Sequence, residues 1–115
     1  MDLSWRARLA GYRVVHVPRA VVFHDKRIDL DHYVVPATTE IRSSTLARLL
    51  LATRYGRPDV VEETIAFVRA AGGDDHRRAL AEYRAQAAAG RLPAPLEDAA
   101  SVAEFVGPHY ATHRF

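Results

Sequence analysis

The chain contains no cysteine, which excludes disulfides and thiolate-held metal clusters and leaves a reducing compartment unopposed. Lysine is nearly absent too. Lys26 is the only one, and arginine carries the rest of the basic charge, a bias expected of a GC-rich coding sequence. No run approaches the ~20 apolar residues that span a bilayer; the longest near-apolar stretch lies around Leu49–Ala52. Nor is there a block of one charge sign. The arginines alternate with Glu62, Glu63, Asp74, Asp75, Glu82, Glu97 and Asp98, and without a basic stripe or interleaved aromatics no nucleic-acid partner is expected. The opening residues place Asp2 and Arg6 where a basic region and an apolar run would stand, so they do not read as a secretory signal. The expected location is cytoplasmic, or peripheral at the inner face of the plasma membrane.

What is present is ordinary for a globular chain. Its 115 residues, 49% hydrophobic and 26% charged with a net charge of +2, allow one domain at most, burying roughly two thirds of its unfolded surface if compact. Asp2 to Ala10 fits a short helix with a carboxylate in its first turn and Gly11 as its stop. "YRVVHV" (Tyr12–Val17) and "AVVFH" (Ala20–His24) are rich in β-branched and aromatic residues and predict two short strands. Pro18 breaks the ladder between them, and Asp25–Asp31 is a charged loop.

After Pro36 the periodicity becomes helical. Ile41, Thr45, Leu46, Leu49, Leu50 and Thr53 form one stripe that stops at Gly56. Val60, Val61, Thr64, Ile65 and Val68 form another, with Pro58 near its start and Gly72 past its end. Leu80, Tyr83 and Ala87 mark a third helix, and "LEDAASVAEFVG" a short fourth. The expected architecture is an α/β piece, a helix plus two short strands over residues 1–35, followed by a helical region of about four helices over 36–115.

The segment "DLSWRARLAGYRVVHVPRAVVFH" resembles the carboxyl-terminal part of the catalytic domain in family 2 glycosyltransferases, which have the GT-A fold. Their pattern is an acidic pair, one variable residue, Asp-Leu, an aromatic-Arg, then an Ala-Gly-Tyr-Arg turn, Val-Pro, Ala and a closing His. Asp2, Leu3, Trp5, Arg6, Ala10, Gly11, Tyr12, Arg13, Val17, Pro18, Ala20 and His24 stand in that register. The resemblance covers about a fifth of the chain. It implies transfer of a sugar from a nucleoside diphosphate donor to a polysaccharide or lipid-linked acceptor, with Mn²⁺ or Mg²⁺ as cofactor.

In that family the acidic pair supplies the general base, and the variable residue after it is here Met1. The base and the Asp-x-Asp metal motif are therefore expected to lie outside this chain, which reads as a carboxyl-terminal fragment inactive alone. By the same resemblance His24 is a metal ligand, Trp5 an acceptor-stacking ring, and Lys26 and Arg27 part of a loop over the diphosphate. Each has a structural alternative. His24 is otherwise a strand-end residue bonded to backbone, Trp5 a core contact, and Lys26 and Arg27 a solvated loop. Asp2 is either a helix-start charge or a neighbour of the acidic pair. Leucine-rich helix 41–55, with Arg42, Arg48 and Arg54, suits either an anionic membrane surface or core packing. The rival to the enzyme reading is a helical protein-interaction module over 36–115.

Overall fold

The computed structural model describes residues 2–21 and 38–103, and the described residues form five helices. These are α1 (Asp2–Leu9), α2 (Thr38–Arg54), α3 (Pro58–Ala71), α4 (Asp74–Ala88) and the short α5 (Ala100–Ala103).

Three of the helices end in the same way. Gly11, Gly56 and Gly90 each take positive φ, at 82°, 65° and 63°. In each case the glycine N–H reaches the carbonyl three residues back and the next residue's N–H reaches the one five back. The pairs are Gly11 to Arg8 and Tyr12 to Ala7, Gly56 to Thr53 and Arg57 to Ala52, and Gly90 to Ala87 and Arg91 to Gln86. This double closure satisfies carbonyls that a helix end leaves orphaned, and it favours glycine because a Cβ is crowded in the left-handed region.

Helix α3 is bounded differently. Pro58 opens it, where a missing N–H costs nothing, and Arg57 clamps Asp59 with Nε–Oδ1 at 2.9 Å and an Nη2–Oδ2 contact of 2.6 Å. It ends at Gly72 with ordinary φ, where the constraint is space instead of conformation. A Cβ built there would stand 2.6 Å from the Val68 carbonyl oxygen. At the start of α4 the Nδ1 of His76 accepts the Gly73 N–H at 3.2 Å, the backward-reaching half of a capping box.

Helices α2, α3 and α4 pack into a bundle with two connected clusters. Leu49, Val68, Leu80 and Tyr83 form one, flanked by Leu46, Leu50, Ile65 and Leu92. Trp5, Ala52, Tyr55, Val60, Ala99 and Val102 form the other, and Val61 borders both. The second cluster joins α1 and α5 to the end of α2 and the start of α3. The Leu96 N–H donates to the Arg54 carbonyl at 2.9 Å and fastens the segment before α5 to the end of α2.

The α/β expectation is overturned: none of the described residues forms a strand. Tyr12–Val17, expected as the first strand, is irregular and exposed throughout. β-branched residues favour strands by packing on neighbouring strands, and among the described residues this segment has none to pack on. Pro18 instead opens a turn, with the Ala20 N–H bonded to the Val17 carbonyl at 3.0 Å, the usual place for proline in a β-turn. The expected second strand, Ala20–His24, lies outside the described residues beyond Val21.

Candidate functional site

The segment that carries the family resemblance enters the fold through α1. Asp2 is its first residue, and a carboxylate type there suits the positive end of the helix. Trp5, one turn further on, is 5% exposed and lies edge-on to Tyr55, with ring centroids 5.0 Å apart and planes at 76°. That is a favoured aromatic geometry, and it leaves no indole face open for a sugar to stack on. Tyr55 is in turn 1% exposed. Trp5 therefore anchors α1 to the helical body in this arrangement.

From Tyr12 onward the segment turns outward. Leu3, Tyr12, Val15, Val17 and Val21 are all more than half exposed, and His16 is exposed among them. Scattered surface valines are common, but this many large apolar side chains along one short segment mark a surface suited to cover by another element.

His24, Lys26 and Arg27 lie outside the described residues. Among the described residues no three His, Asp or Glu side chains gather as a metal shell. The ion implied by the resemblance would draw on His24.

The arginines of α2 are directed to the bundle's own polar contacts. Arg42 reaches Glu82 on α4 at 2.6 Å. Arg48 donates from Nε to the Thr64 hydroxyl at 2.7 Å and from Nη2 to Glu63 at 3.2 Å. Arg54 keeps its Nε buried. Two of the three charges considered for a membrane surface are thus paired within the fold, and none of the helices among the described residues is long and apolar enough to cross a membrane.

Two hydroxyl relays, unmarked by any sequence motif, connect the helices. Thr64 donates to the Val60 carbonyl at 2.7 Å and accepts from Arg48. Thr53 donates to the Leu49 carbonyl at 2.8 Å and lies 2.7 Å from the Tyr83 hydroxyl. A threonine has one proton to give, so Tyr83 is the donor to Thr53. These threonines sit within the apolar stripes, and their spacing was the only available signal.

Charge at the helix starts is tuned locally. The Arg57 hydrogen bond holds the Asp59 carboxyl below its usual range, and Asp59 in turn raises the Arg57 guanidinium. The hydrogen bond from Arg77, then its charge, lowers Asp74 in the same way. Both carboxylates are exposed, so these shifts belong to capping and surface pairing.

No family model matches the chain, and comparison with curated proteins and with solved structures finds no match.

Proposed function

We propose that this chain carries the carboxyl-terminal part of a family 2-like glycosyltransferase, which moves a sugar from a nucleoside diphosphate to a polysaccharide or lipid-linked acceptor. The observation that carries the reading is the register of twelve residues from Asp2 to His24. The exposed apolar run from Tyr12 to Val21 supports it, as a surface that the donor-binding half of such an enzyme would cover. In the reaction a carboxylate base takes the proton of the acceptor hydroxyl, and the freed oxygen attacks the anomeric carbon as its bond to the diphosphate breaks, with inversion. A divalent ion, when bound, neutralises charge on the departing diphosphate. Within this chain, α1 would hold the segment leading to His24, with Trp5 fixing α1 against Tyr55.

The test is the coding DNA upstream of the Met1 codon. An open frame with an acidic pair directly before Met1, and an Asp-x-Asp further upstream, supports the reading; a stop codon with no such pair overturns it. The purified chain is expected to release no nucleoside diphosphate from any nucleotide sugar. Release would overturn the claim that its base and metal carboxylates lie elsewhere.

A second reading is favoured by one observation: α2, α3 and α4 close a core on Leu49, Val68, Leu80 and Tyr83 without help from α1. A helical interaction module over 36–115 would then melt cooperatively with high helix content on its own. Loss of cooperativity on removing residues 1–35 argues against it, since Tyr55 would lose its cover.

A further inference from the structure

Helices α3 and α4 leave an open groove of about 280 Å³ between them, lined by Val68 and Arg69 from α3 and Arg77, Leu80, Ala81 and Arg84 from α4. The α4 residues follow the spacing that places side chains on one helix face, three and four apart. Val68 and Leu80 are nearly buried and form an apolar floor, while Arg69, Ala81 and Arg84 are exposed at the sides. None of the groove's described lining residues belongs to the segment resembling glycosyltransferases, so its chemistry stands apart from the reading above.

The charges in the groove are not balanced. Arg77 is held in place, donating to the Gly72 carbonyl and, at 2.5 Å, to the Asp74 carboxylate, and that acid offsets one positive charge. No carboxylate pairs with Arg69 or Arg84 among the described residues. Arg69 and Arg84 thus line the groove with no carboxylate of the described residues against them, beside Arg77, which is pinned. A phosphate monoester carries about −1.5 to −2 at pH 7, matching that surplus in one compact group, and guanidinium forks pair bidentately with its oxygens. A single carboxylate would meet only half of it.

We propose that the α3–α4 groove binds a phosphate or diphosphate group, with Arg69 and Arg84 as its principal ligands, Arg77 as a fixed third, and the Val68–Leu80 floor taking a small apolar part of the same ligand.

Calorimetric titration of the full chain with inorganic pyrophosphate at low ionic strength tests this. Saturable binding is expected, weakened about tenfold or more in the Arg69→Gln/Arg84→Gln double variant, as for loss of charge-assisted hydrogen bonds. Arg78→Gln, which removes a charge from α4 outside the groove, is expected to weaken binding far less. Ala81→Glu, placing a carboxylate in the groove, is expected to abolish it while leaving the helical circular dichroism intact. Flotation with vesicles containing phosphatidic acid then separates the sources. Co-flotation lost in the double variant makes the phosphate a lipid headgroup, and no co-flotation alongside pyrophosphate binding makes it a soluble ligand. Absence of saturable pyrophosphate binding, equal binding by the double variant, or preference for a short polyglutamate over pyrophosphate would overturn the proposal.

Discussion

The indole of Trp5 meets the ring of Tyr55 edge-on at 5.0 Å, joining the first helix of the chain to the end of the second. Around the pair stand Ala52, Val60, Ala99 and Val102, all buried, so one aromatic contact holds together elements from both ends of the described fold. Trp5→Ala is expected to cost about 3–5 kcal/mol, the usual price of deleting a large buried aromatic, measured by urea unfolding. Trp5 is the only tryptophan, so native emission is expected to be blue-shifted and to move red on unfolding. Emission already characteristic of water in the native state, with a near-neutral Trp5→Ala, would put the indole on the surface instead.

The Thr53–Tyr83 hydroxyl pair gives a directional prediction. Tyr83→Phe removes the donor and is expected to cost about 0.5–1.5 kcal/mol. Thr53→Val keeps the shape but strands the Tyr83 hydroxyl, which sits on a residue only 8% exposed, and is expected to cost about 1–3 kcal/mol. In the double variant much of the second cost should vanish. Strict additivity in that cycle would show that the two hydroxyls are not coupled.

Gly56 and Gly72 are sensitive to alanine for different reasons. At Gly56 nothing lies within 4 Å of a built Cβ but φ is +65°, so Gly56→Ala is expected to cost roughly 1–2 kcal/mol through conformation alone. Asn, which tolerates the left-handed region, should recover part of that. At Gly72 φ is ordinary and the Val68 backbone is in the way; Gly72→Ala is expected to cost about 1–3 kcal/mol, and Asn should be no better. Thermal melts of the four variants check this. Recovery by Asn at both sites would contradict the distinction.

Acid stability follows from Asp59 and Asp74. Both carboxyls titrate below their usual range in the folded chain because arginines hydrogen-bond them. Their contribution is therefore fully present above the unfolded-state value of about 3.9 and is lost as the pH falls through it toward the lower folded values. Urea midpoints from pH 6 to pH 2 are expected to fall less steeply in Asp59→Asn/Asp74→Asn than in the parent chain, the two curves converging at the acid end. Both side chains are exposed, so added salt should shrink the difference. Parallel curves would remove these pairs from the acid response.

Much of the helical framework was readable from the chain alone. Apolar spacing in Ile41–Thr53 and Val60–Val68 marked two helix faces, and Gly11, Gly56 and Pro58 marked ends where they in fact lie. Those signals are local: a helix closes its hydrogen bonds within four residues, and its caps need only the next few. The register from Asp2 to His24 is likewise a property of the sequence, independent of any contact. What only the tertiary structure decided depends on partners distant in the chain. Tyr12–Val17 has the composition of a strand, but a strand exists only through pairing, and among the described residues nothing pairs with it. Trp5 was equally suited to stack on a sugar or to enter a core until Tyr55 was placed against it. The same holds for Arg48 on Thr64, Tyr83 on Thr53, and the placing of Arg69 and Arg84 along one groove. Periodicity places each residue on a face of its own helix, and only the packing of one helix against another determines what that face meets.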